Sequence, residues 1–144
     1  MKRVTMTVAI FLILAAGTAL AASPAGQWNY KGYIWPDLKP GPEQGICFVA
    51  DGTWYSTTFK GWGGQWIQDG DMLRFYGSTG IVSTAEFSQF ISNARIAGEF
   101  AHFYPTPPVT TSSIGNFFMN KTSSTCDVAA SSGYSAPEGD PAIK

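Results

Sequence analysis

An all-β domain, an antiparallel meander of about eight strands rolled into a closed or nearly closed barrel, is the fold this sequence predicts. A two-sheet β-sandwich is the alternative. Three observations carry the prediction. Sixteen Gly and nine Pro cut the 144-residue chain into short pieces. Between them lie alternating aromatic and β-branched residues, the mark of antiparallel strands separated by turns. No segment holds the 3.6-residue period of a long amphipathic helix. Aromatic residues make up 15% of the chain, with five Trp, six Tyr and ten Phe, enough to fill a core.

The strands follow in order. Gly26 to Tyr30 opens the first, with Trp28 and Tyr30 on one face. Trp35 to Pro42 is a Pro-rich loop that cannot be a central strand. Ile46, Phe48 and Ala50 alternate with Cys47 and Val49 in the second strand. Asp51-Gly52 is a hairpin pair, and Thr53 to Lys60 forms the third strand. Gly61 to Gly64 turns into Gln65–Gln68, the fourth. Asp69-Gly70-Asp71 turns into Met72–Tyr76, the fifth, and Gly77 to Gly80 breaks the chain again.

In the sixth strand Ala85, Phe87, Gln89 and Ile91 alternate with Glu86 and Ser88, although Phe87, Phe90 and Ile91 also fit a helical face. Arg95 to Tyr104 is the seventh strand, with Ile96, Phe100, His102 and Tyr104 on one side. After a loop holding Pro105, Pro107 and Pro108, Ile114 to Thr122 is the eighth. The expected apolar interior is Trp28, Phe48, Trp54, Trp66, Phe75, Phe87 and Phe100.

Residues 1–22 read as a secretory signal peptide. Lys2 and Arg3 precede the apolar run Val8 to Ala16, and Ala19-Leu20-Ala21 supplies a small-x-small cleavage site near Ala21 or Ala22. Periplasm or exterior is the expected location, with no membrane anchor after cleavage. Loss of Lys2 and Arg3 leaves seven basic residues against ten acidic ones. Residues 23–126 are then a single β-barrel domain, and 127–144 a flexible polar tail. Cys47 and Cys126, the only cysteines, read as a disulfide in an oxidising compartment.

Gly26-Gln27-Trp28 resembles the G-x-W motif that opens lipocalin-like and other calycin barrels. Hairpin spacing like that of small exported bacterial barrels follows, in Asp51-Gly52-Thr53-Trp54, Gly64-Gln65-Trp66 and Gly70-Asp71-Met72-Leu73. The resemblance implies a barrel with Trp28 closing one end, and a structural role for Gly26 and Trp28. It transfers no ligand. The later lipocalin motifs, a C-terminal helix and a biotin-type pocket have no counterpart here.

Chemistry-bearing patterns are sparse. His102 is the only histidine, and a His-based metal site needs more ligands than one. Glu99, three residues earlier, falls on the opposite face of a strand. Asp69-Gly70-Asp71 has turn geometry and no further acidic ligands at loop spacing. Gly61-Trp62-Gly63-Gly64 lacks a phosphate-binding pattern. The Asn120-Lys121-Thr122 sequon reads as a chance match, because the short, simple leader is of bacterial type. Scattered basic residues and a net charge of -1 argue against nucleic acid. No metal or cofactor and no catalytic residue is expected.

A non-enzymatic binding protein is therefore the expected function, taking a small apolar or amphipathic ligand in an aromatic interior or mouth. A module that binds or inhibits another exported protein is the alternative. Candidate binding residues are Trp35 and Trp62 in loops, with Trp54, Trp66 and Tyr76. A barrel enzyme would need Arg74, Glu86 and Asn116 to face inward together.

Overall fold

Tyr30 of the first strand pairs with Gln44 on one side and with Met119 on the other, and that double pairing closes the sheet on itself. The computed structural model describes residues 22–126. The leader, apart from its last residue, and the expected tail 127–144 lie outside the described residues. The described chain holds β1 (Gly26–Ile34), β2 (Lys39–Pro40), β3 (Gln44–Phe48), β4 (Thr53–Ser56), β5 (Gly63–Asp69), β6 (Met72–Ser78), β7 (Ser83–Ser92), β8 (Arg95–Tyr104) and β9 (Thr110–Ser123). All pairings are antiparallel between neighbours, and β1 also pairs with β9. The result is a closed eight-strand barrel with β2 as an extra two-residue strand.

Closure overturns the sandwich alternative, because a sandwich leaves strand edges that this ladder pairs. It is compatible with a calycin-like fold. The ambiguous segment after Val82 is strand β7, and its outer and inner residues alternate accordingly. Pro40 sits in β2, at the short edge where a strand tolerates proline. The third expected strand ends early, at Ser56. There the Ser56 hydroxyl accepts the Thr58 and Phe59 amides and turns the chain outward. Conversely, Gly63, Gly64 and Gly77 belong to strands β5 and β6. A Cβ on Gly77 would lie 2.6 Å from the Trp54 ring, so the missing side chains make room for that indole.

The interior is built from alternate residues: Trp28, Tyr30, Ile46, Phe48, Trp54, Leu73, Phe75, Phe90, Ile96, Phe100, Phe117 and Met119. Phe75 is central, edge-on to Phe48, Trp54 and Phe117 at 5.1, 5.4 and 5.8 Å. One expected core residue is misplaced. Phe87 points outward and is 57% exposed, while Thr84, Glu86, Ser88 and Phe90 face the interior. Both phases of this strand carry a phenylalanine, so local alternation does not choose between them. Its neighbours do: Glu86 pairs with the inward Phe75 on one side and the inward Phe100 on the other. A one-residue slip would have exchanged the two faces.

Trp28 closes one end. It is fully buried, donates from Nε1 to the Pro24 carbonyl at 2.6 Å, packs on Phe90 and lies under the Lys121 ammonium. Gly26, at φ 122°, holds a conformation few side chains tolerate, and a Cβ there would lie 2.4 Å from the Ser123 carbonyl oxygen. Cys47 points out of the barrel and is bonded to Cys126, with Cα atoms 5.6 Å apart. The bridge ties the end of the domain over β3 and fits an oxidising compartment. Among the described residues, no helix is long and apolar enough to cross a membrane.

Candidate functional site

The end opposite Trp28 is open. The turn after β4 and the loop before β3 stand around it, and between them lies a cavity of about 470 Å³. That is within the range of about 300–1,000 Å³ usual for small-molecule sites. Its walls come from the last inward residues of the strands. Tyr30, Gly32 and Ile34 follow each other along β1, Gln44 begins β3, and Phe100 and His102 lie on β8. Phe59 and Trp62 reach in from the turn after β4, and Thr79 and Val82 from the turn after β6. Gly32 keeps the floor open: a Cβ there would lie 3.3 Å from both the Phe100 and Tyr30 rings.

The rim is held by its own hydrogen bonds. Gly41 donates to the Gly32 carbonyl at 2.9 Å, the Ser56 amide to the Trp62 carbonyl at 2.8 Å, and Thr79 to the Val82 carbonyl at 3.0 Å. Trp62 is half-buried against the core and edge-on to His102. The His102 ring also packs on Phe100 at 4.7 Å, and Nδ1 lies 3.2 Å from the Ser113 hydroxyl. Burial lowers the His102 pKa, which keeps its imidazole neutral at pH 7.

Polar atoms in this region lack partners. The Tyr30 hydroxyl and Gln44 Oε1 are buried without a hydrogen bond. Glu86 lies just inside. It accepts a 2.5 Å hydrogen bond on Oε1 from the Thr84 hydroxyl, while Oε2 is buried and unbonded. Burial pushes the Glu86 pKa up to about 8, so the group is mostly protonated at neutral pH. Tyr30 is raised as well, by burial first and by the nearby Glu86 carboxyl second. Native structures rarely leave such groups unbonded, and each one asks for an explanation.

The sequence-expected residues distribute as follows. Trp62 lines the cavity. Trp54 is fully buried beneath it, and its Nε1 donates to the Tyr76 carbonyl at 2.9 Å. Trp66 faces inward toward Phe48 and donates to the Val49 carbonyl at 2.9 Å. Tyr76 lies on the outside, its hydroxyl donating to Gln65 Oε1 at 2.5 Å. Trp35 is 41% exposed outside the barrel, with Nε1 bonded to Asn116 Oδ1 at 2.5 Å. These five residues do not form one site.

Nor do Arg74, Glu86 and Asn116 meet. Arg74 is exposed, Asn116 is engaged by Trp35, and Glu86 alone of the three faces inward. Among the described residues, no three His, Cys, Asp or Glu side chains come together as a metal site would require.

Tyr30, Gln44 and Phe59 are among the cavity residues that the sequence does not mark as binding candidates. Tyr30 looked like an ordinary inward aromatic, and Gln44 became part of the wall only because β3 begins opposite Tyr30. Compared with known proteins, the chain matches no family model, no curated protein and no solved structure.

Proposed function

We propose that this chain is an exported, non-catalytic binding protein that takes a small amphipathic ligand into the open end of its barrel. One observation carries the reading: an apolar, aromatic-walled cavity of about 470 Å³ is lined by Tyr30 and Gln44, whose hydroxyl and Oε1 are buried without partners. Apolar walls with a few convergent polar groups are the usual make-up of a small-molecule site. The Gly-x-Trp opening and the closed barrel support kinship in architecture with lipocalin-like carriers. The leader and the disulfide support export.

Native mass spectrometry of the protein purified gently from its host's exported fraction tests the proposal. The expected result is a retained small molecule that is lost in Ser112→Trp, which places a bulky ring at the exposed rim of the cavity. A bare protein that also ignores small amphipathic probes would overturn it.

A second reading, a module that docks on another exported protein, draws on the outer wall. There Tyr33, Leu38, Ile91, Asn116 and Phe118 border a shallow groove of about 580 Å³ beside the exposed Trp35. A retained protein whose capture depends on Trp35 and survives Ser112→Trp favours that reading.

A further inference from the structure

We infer that the ligand of the barrel mouth is a small organic cation, an amine carried on an aromatic or aliphatic body. The inference rests on the cavity being a ligand site and adds the chemical class of the occupant. The walls come first. Tyr30, Phe59, Trp62 and Phe100 turn rings toward one cavity, and the electron-rich faces of such rings attract ammonium groups.

The polar atoms come second. Gln44 Oε1 can only accept hydrogen bonds, the Tyr30 hydroxyl can accept one, and both are buried and unbonded. A ligand that donates hydrogen bonds satisfies them.

Charge decides the rest. Glu86 pairs across the sheet with Phe100, and Thr84 with His102; both of these β8 residues line the cavity. Glu86 therefore sits beside Phe100 on the inner face of the barrel, next to the cavity lining, with Oε2 unbonded. No Lys or Arg side chain among the described residues offsets it. Lys31 is paired with Glu43 and Lys39 lies beside Asp37, both outside the barrel. Arg74, Arg95 and Lys60 are exposed, and Lys121 covers Trp28 at the closed end. A carboxylate ligand would enter an apolar space that holds no cation and faces an acid. An ammonium group would meet aromatic rings and the Tyr30 and Gln44 acceptors, and lie near a carboxyl that its own charge helps to ionise.

Three probes of one shape separate the possibilities: 1-naphthylmethylammonium, 1-naphthalenemethanol and 1-naphthoate, titrated by calorimetry against the wild-type chain and Glu86→Gln. The cation should bind at least about tenfold more tightly than the alcohol, with the naphthoate weakest. Glu86→Gln should narrow that margin, leaving the part that the aromatic rings supply, and a wild-type circular dichroism spectrum shows that the variant is folded. In the wild type the cation-to-alcohol ratio should rise between about pH 7 and about pH 8.5, where Glu86 ionises. The other titratable groups facing the interior, Tyr30 and His102, keep their charge across that range. A cation that binds no better than the alcohol overturns the inference and leaves the ligand cavity standing. Failure of all three probes to bind, together with a bare protein in native mass spectrometry, overturns both.

Discussion

The Trp62 indole stands edge-on to the His102 imidazole, with ring centroids 5.5 Å apart and planes at 70°. This contact joins the turn after β4 to strand β8 across the barrel mouth. A tryptophan flanked by glycines is thereby a fixed wall of the cavity.

Trp62→Ala should therefore cost more than a surface substitution, which usually stays within about 0.5 kcal/mol, and less than a full core truncation. We expect about 1–2 kcal/mol by urea denaturation. Binding of any mouth ligand should fall together with it. A loss of stability within the surface range would show that the indole does not pack in solution.

Register gives a sharper contrast on β7. Phe90 is buried against Trp28, whereas Phe87 is exposed. Phe90→Ala should cost about 3–5 kcal/mol, and Phe87→Ser no more than about 0.5 kcal/mol. Thermal melts with the two effects exchanged would mean that the strand is slipped by one residue.

Cys47 and Cys126 should behave as one unit. Cys47→Ser and Cys126→Ser should each lower stability by a similar amount, on the order of 4 kcal/mol for the loop of 79 residues they close. The double variant should add little. Additive losses in guanidinium denaturation would break the pairing.

Glu86 links stability to pH. Its folded-state pKa is raised to about 8 from an ordinary 4.5. Between those values the folded chain holds a proton that the unfolded chain releases, so stability declines as pH rises through that window and levels off above it. Glu86→Gln removes the decline. The variant should gain on the wild type by a few kcal/mol between about pH 5 and about pH 9. Parallel denaturation curves at the two pH values would show that the carboxyl is not buried as described.

Much of the architecture was legible in the residues themselves. Turn residues and strand alternation are local properties, and they sufficed for an all-β meander, the position of most strands and Trp28 as an inward residue. An even pair of cysteines in an exported-looking chain sufficed for the bridge. Strand ends were less legible. Ser56 stops β4 by capturing two amides, and Gly77 continues β6 because Trp54 needs its space. Neither reason exists until the partners are adjacent.

The sequence by itself thus determined the fold class, the cysteine pair and the stock of aromatic side chains. Those follow from composition and short-range pattern, which are complete in one strand or one turn. Only the tertiary structure decided the closure of β1 on β9, the phase of β7 and the site. With two phenylalanines on opposite phases, the faces of β7 are chosen by the strands beside it. That choice buries Glu86 instead of Phe87. The cavity likewise belongs to no segment: Tyr30, Gln44, Trp62 and His102 share a wall because four separated stretches meet at one end of a closed barrel.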